Sequence, residues 1–208
     1  MCIRDSYDEA LADFDRAIEL DQKYAWAIAQ RGETYRLMEH YDEALADFDR
    51  AVELDPTSAW TVINQGRVLK ALTRYELSLS AIERAIVLNS QDDWFFYERA
   101  IVRQKLDPGS TSPVDLQQAI TMAHDAYQTD PLDWHNLFNL ALYYVASGEE
   151  ALAEELYRVG SQEQPGTVAL QVALRDLDDY LRLFPDDAAA ARLRALLQAC
   201  LLYTSRCV

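Results

Sequence analysis

The side chains able to do chemistry are few and scattered. Three histidines, His40, His124 and His135, stand far apart with no interval that would bring two imidazoles to one metal ion. Three cysteines, Cys2, Cys200 and Cys207, lie at the two ends of the chain. The tetrapeptide Asp-Phe-Asp-Arg occurs twice, at Asp13–Arg16 and Asp47–Arg50, and alternating carboxylates can bind calcium. A calcium loop also needs a glycine at its sharp turn and a closing glutamate, and neither follows at the required spacing. These acids read instead as a solvated helix face paired with nearby bases. The sequence has no glycine-rich phosphate loop, no nucleophile elbow and no plausible triad. It calls for no catalytic residue, no metal and no cofactor, and points away from an enzyme.

The aromatic residues are different because they recur. Trp26, Trp60 and Trp94 are spaced by 34 residues. Tryptophan combines a large apolar area with an N–H donor, which suits an interface anchor. It also suits packing between stacked helices, and the period alone does not choose between the two uses.

The elements that carry these residues share the same period. Tyr7–Asp21 reads YDEALADFDRAIELD and Tyr41–Asp55 reads YDEALADFDRAVELD, differing only at Ile18 and Val52. A more divergent copy, YELSLSAIERAIVLN, begins at Tyr75, another 34 residues on. Ala10, Phe14, Ala17 and Ile18 fall on one helical stripe, as do Ala44, Phe48, Ala51 and Val52, with Asp and Arg on the opposite face. Pro56 follows the second copy where a helix should stop. Between copies lies a second amphipathic helix, best seen at Ala25–Met38. Gly32 and Gly66 fall in its middle, where glycine costs about 1 kcal/mol against alanine, which implies a close helix–helix approach.

Here the chain resembles the tetratricopeptide repeat family, in Gly32, Tyr35, Ala44, Phe48, Ala51 and Pro56, and again in Ala141, Tyr144, Gly148, Ala153, Tyr157 and Pro165. The resemblance covers roughly residues 7–165. It implies an all-α fold, a right-handed α-solenoid of helix-turn-helix repeats, with a partial first repeat followed by four more. Repeat three departs from the pattern at Ser78 and Ser90, and repeat four at Ala100 and Arg103. The spacing from Ala85 to Ala126 is 41, seven more than the period, and LDPGSTSPVD at residues 106–115 reads as the inserted loop. That loop is either a tolerated surface insertion or a partner-contacting or phosphorylated one. Val168–Phe184 and Asp187–Ala199 read as two further helices within a capping region, residues 166–199, because a stack of repeats leaves its last apolar face uncovered.

By the same resemblance, the first helix of each repeat lines a concave groove. The residues placed there are Trp26, Glu33 and Arg36, then Trp60, Ile63, Arg67 and Lys70, then Trp94 and Tyr97, and finally Phe138. The family's clamp for a C-terminal carboxylate uses paired Lys and Asn; those registers hold Ala29, Glu33, Ile63 and Arg67, so that clamp is absent. The implied function is a scaffold that binds a peptide or protein in the groove. A second reading is a sensory or regulatory segment of a larger bacterial signalling enzyme whose catalytic domain lies elsewhere. Self-association through the exposed end of repeat one is a third.

Charge narrows the partners. The chain has 19 basic and 35 acidic side chains, a net charge of -16, which repels nucleic acid and anionic lipid. The acids either keep a helical array soluble or favour a basic partner. No apolar run approaches the ~18 residues of a membrane helix, and a cytoplasmic location is the simplest expectation. Finally, residues 1–6 and 200–205 back-translate to inverted copies of one short DNA sequence that resembles a transposase end used in sequencing libraries. Residues 1–6 and 200–208 are therefore expected to be non-native, and all three cysteines fall within them.

Overall fold

The computed structural model describes residues 3–108, 113–162 and 166–204. Residues 109–112 of the expected loop, Pro165, Cys2, Cys207 and the outermost parts of both ends expected to be non-native lie outside the described residues. The chain divides into two compact units, residues 1–110 and 111–208. The first holds α1 (Ile3–Leu20), α2 (Ala25–Leu37), α3 (Tyr41–Leu54), α4 (Ala59–Ala71), α5 (Tyr75–Leu88) and α6 (Asp93–Leu106). The second holds α7 (Pro113–Thr129), α8 (Trp134–Ser147), α9 (Glu150–Gln162), α10 (Thr167–Leu183) and α11 (Ala188–Thr204). Among the described residues every regular element is a helix. α1 and α11 both extend into the ends expected to be non-native, since Ile3–Ser6 and Cys200–Thr204 contain no residue that breaks a helix.

The helices pair and nest in chain order within each unit. In the first, α2 packs on α3 and α4 on α5, while α4 also touches α3 and lies beside α2 and α6. In the second, α8 packs on α9 and α10 on α11, with α10 against α8 and α11 against α9. The α10–α11 hairpin thus stacks on its predecessor as a repeat does.

Glycine allows the tightest of these contacts. A β-carbon at Gly32 would lie 3.2 Å from Asp47 Cβ and 3.3 Å from the Ala44 carbonyl oxygen. One at Gly66 would lie 3.1 Å from Ile82 and 3.4 Å from the Ser78 carbonyl oxygen. The close approach expected from the sequence is therefore present at both positions. Ser78, which replaces the family's alanine, is fully buried and donates its hydroxyl to the Gly66 carbonyl at 2.8 Å. That bond satisfies a polar group which would otherwise be costly to bury.

The turns repeat as faithfully as the helices. Asp21, Asp55, Asn89 and Asp130 each accept, through Oδ1, the N–H two residues on, at 2.9, 3.0, 3.0 and 3.1 Å. These are Asx turns, which end one helix and aim the chain at the next. The first three are 34 residues apart and the fourth follows after 41, so the turn is kept across the seven-residue shift. The next helices are then capped by Ser58, Asp92 and Asp133, which accept the N–H of Thr61, Trp94 and His135. Arg50 on α3 donates to the Gln22 carbonyl in the turn before α2, and Arg84 on α5 donates to the Pro56 carbonyl one period later. Each hairpin is thereby tied to the turn that precedes it.

The turn inside each hairpin needs a left-handed residue. Glu39 (φ 63°), Thr73 (φ 59°) and Gly148 (φ 80°) occupy it. The next N–H closes back five residues, His40 to Tyr35, Arg74 to Leu69 and Glu149 to Tyr144, each at 2.9 Å. Only Gly148 adopts this conformation freely, and β-branched Thr73 is the worst suited. Thr73→Gly should therefore stabilise the first unit, by about 1 kcal/mol, measurable as a higher midpoint in urea with an unchanged slope.

Candidate functional site

The residues expected to line a groove in the first unit sit on α2, α4 and α6, which follow one another side by side. Trp26, Trp60 and Trp94 occupy the same register on the three helices. Trp26 is 56% exposed and Trp60 is 41% exposed, while Trp94 is half-buried. Each of the first two also packs edge-on against the phenylalanine of the preceding hairpin. Phe14 meets Trp26 at 6.0 Å between centroids and 74°, and Phe48 meets Trp60 at 6.4 Å and 68°. The structural contact and the free surface belong to different parts of one indole.

The charged positions further along the helices are engaged. Arg36 is buried and forks onto Glu33 one turn back, with both bonds at 2.7 Å. Arg67 on α4 reaches Glu98 on α6 at 3.4 Å, and Lys70 ion-pairs with the same carboxylate. The Glu98 side chain is 1% exposed, and those of Arg67 and Lys70 are 16% and 11% exposed. Arg67 Nη1 also donates to Asn64 Oδ1 at 3.1 Å, and Asn64 Nδ2 donates to the Trp60 carbonyl at 2.9 Å. The Arg67 guanidinium lies 5.5 Å from the Trp94 ring centre, and Trp94 meets Tyr97 at 5.1 Å. A hydrogen-bonded and ionic chain thus runs from α4 to α6 between two of the tryptophans.

Three expected contact residues are core residues instead. Ile63 and Tyr97 are each 3% exposed, and Phe138 is 5% exposed. Phe138 stacks on Tyr157 at 5.9 Å and fits only because α9 carries Gly160, where a β-carbon would stand 2.6 Å from the ring. It belongs to the second unit, apart from the other candidates. Arg67 lies against the Trp94 ring, and Arg67 and Lys70 both end on Glu98, which was not among the expected residues.

A signal for Glu98 was present. Gln30, Asn64 and Glu98 recur at 34-residue intervals within otherwise apolar or small stretches of the first helices, and a charge on such a stripe needs a partner. The Asp-Phe-Asp-Arg acids also need correction. Asp47 is not on a solvated face; it is buried and takes a two-bond fork from Arg31 at 2.7 and 2.6 Å. Arg31 also bonds Asp15 of α1 at 2.6 Å, so one guanidinium joins three successive helices. One period later the bridge is weaker: Gln65 bonds Asp49 at 2.7 Å, and Ala81 stands where Asp47 stood.

The histidines make only local contacts, His40 beside the Tyr35 ring at 6.3 Å, His124 near Gln128 and His135 near Asn139. Among the described residues no three side chains are grouped to hold a metal ion, and no helix is long and apolar enough to cross a membrane.

The geometry defines a class: within each unit, helical hairpins nest in chain order, and in the first unit α2, α4 and α6 carry an aromatic and ion-paired register. Residues 25–58 match the family model for the tetratricopeptide repeat. No curated protein matches the chain in sequence. Among solved structures it is similar in fold to the APC/C hetero-tetramer Cut9–Hcn1, with a TM-score of 0.59 and 15% identity, over 93% of this chain and 40% of that one. It is also similar to MamA 41-end from Desulfovibrio magneticus RS-1, with a TM-score of 0.49 and 19% identity, over 76% and 86% of the two chains. YrrB, a TPR protein with an unusual peptide-binding site, gives a TM-score of 0.47 and 20% identity over 88% and 97%. The chain thus carries one tetratricopeptide repeat motif by sequence, at residues 25–58, and is similar in fold to Cut9–Hcn1.

Removing one member of a buried ionic group leaves the others uncompensated. Glu98→Ala should cost about 3–5 kcal/mol, far more than Glu150→Ala, which removes only the exposed pair with Arg192; denaturant unfolding of the two variants checks this.

Proposed function

We propose that this protein is a non-catalytic scaffold that holds a peptide or protein segment against the α2–α4–α6 face, with Trp26, Trp60 and Trp94 as its anchors. The observation that carries this reading is the exposure of Trp26 and Trp60 in one register of successive helices. Their phenylalanine contacts fix the rings from one edge, so little side-chain freedom remains to be lost on binding. The Glu98 network supports the reading by holding α4 against α6, which sets the spacing of Trp60 and Trp94. In Cut9–Hcn1, similar in fold, the chains form a hetero-tetramer, which is in keeping with assembly as the use of this architecture.

The partner is expected to be basic or to carry basic flanks. A net charge of -16 attracts cations over a distance comparable to the Debye length, raising the rate of encounter. Steering therefore comes from the acidic body, while apolar contact with the indoles supplies most of the affinity.

Peptides selected from a random display library against the intact chain test the proposal. Trp60→Ala should weaken the selected peptides by about 30-fold or more, as loss of a buried aromatic anchor does, while lowering the melting temperature by less than about 5 °C. Selected peptides that bind Trp60→Ala as well as the parent chain, or a melting temperature that collapses first, would assign the tryptophans to packing alone.

A further inference from the structure

Burial along α2, α4 and α6 decides what shape of chain fits their shared face. Past each indole the helix surface closes. Ile63 and Tyr97, three residues on from Trp60 and Trp94, are each 3% exposed. Further on come Arg36 and Lys70, both buried in their pairs with Glu33 and Glu98. The open apolar surface is therefore a single row of rings that crosses the helices. Trp60 stands at its middle, with α2 and α6 on either side, and is still 41% exposed.

A narrow row excludes most kinds of occupant. An amphipathic helix is about 10 Å wide, so it would also cover the ion pairs, at a cost in desolvation. An added strand needs a sheet edge to pair its backbone, and among the described residues there is no strand. An acidic or phosphorylated segment needs cations to receive it, yet Arg36, Arg67 and Lys70 are each already paired with a carboxylate. What remains is a thin extended chain whose own backbone needs no pairing.

Spacing and hydrogen bonding narrow this further. Helices packed side by side lie about 8–10 Å apart, so one register repeats across them at about that interval. A polyproline II helix has three residues per turn and presents the same side every ~9.3 Å, whereas a β-strand does so every ~6.6 Å. Among the described residues the indole N–H groups of Trp26 and Trp60 have no acceptor. Polyproline II makes no internal hydrogen bonds, so its carbonyls are free to accept them. We propose that the Trp26–Trp60–Trp94 row holds a proline-rich segment in this conformation, with proline at every third residue and lysine or arginine at its ends. Pyrrolidine rings lie against the indoles, and the net charge of -16 draws the basic ends. The inference rests on the α2–α4–α6 face being the binding surface, and names the chemistry of its partner.

The test titrates the full chain into two dye-labelled peptides and follows fluorescence anisotropy. Both carry two lysines at each end; the first has the centre Pro-Ala-Ala-Pro-Ala-Ala-Pro. The second, Pro-Ala-Ala-Ala-Pro-Ala-Pro, has the same composition and charge with one proline moved by a single residue. The first should saturate below ~1 mM, within the range of weak specific complexes. The second should bind about fivefold more weakly or worse, as loss of one anchor does, and this arm makes no demand on the folding of a variant. Trp60→Ala should weaken the first peptide by about 30-fold or more. Trp60→Phe, which keeps a ring beside Phe48 but removes the N–H donor, should weaken it by about threefold or more, with an unchanged helical circular dichroism signal. No saturation by ~1 mM, equal binding of the two peptides, or binding indifferent to both Trp60 variants would overturn the proposal. Display selection separates it from the reading it rests on. Selected peptides that need Trp60 but lack proline would overturn the proline-rich partner and leave the face standing; selected peptides indifferent to Trp60 would remove both.

Discussion

A helix carrying one apolar stripe cannot shelter that stripe by itself, and a hairpin of two such helices still leaves apolar surface on its outer sides. Everything else in this protein answers that constraint. Phe48 is fully buried because α2 lies against it and the next hairpin's Trp60 closes its edge. The burial is worth several kcal/mol for a ring of this size, but it belongs to the stack and not to α3. Phe14, in the same local sequence, remains half-buried.

Nesting works only if every hairpin meets its neighbour at the same distance and angle, and three kinds of feature enforce this. Glycine at positions 32 and 66 sets the distance by removing the side chain at the crossing. The Asx turns at Asp21, Asp55, Asn89 and Asp130 set the direction in which each new hairpin starts. Polar side chains then bridge helices at chosen points, Arg31 to Asp15 and Asp47, and Arg67 with Lys70 to Glu98. The last group also lies beside the tryptophans of α4 and α6, so the fixing of geometry and the shaping of the proposed binding face are one arrangement.

Most of the architecture was legible in the sequence because it is periodic. Tyr7 to Tyr41, Gly32 to Gly66 and Trp26 to Trp60 repeat at one interval, and a period is visible without any knowledge of contacts. The site was less legible because its decisive contacts cross between repeats. Glu98 answers Lys70 from 28 residues away, and Asp47 answers Arg31 across a hairpin, so neither pairing shows in a single helix's pattern. Register also misjudged Ile63, Tyr97 and Phe138: it gives the direction a side chain leaves its helix, but not whether a neighbour covers it. Gly160, which makes room for Phe138, is an isolated glycine, and nothing periodic distinguishes it.

The central claim, that neighbours and not helix sequence supply the stability, can be tested inside this one chain. Phe14→Ala and Phe48→Ala make the same change in the same local sequence, and chemical denaturation reads the loss in each. The account predicts that Phe48→Ala costs about 3–5 kcal/mol, the value for a fully buried phenylalanine, and that Phe14→Ala costs less than about half as much. Equal losses at the two positions would contradict it.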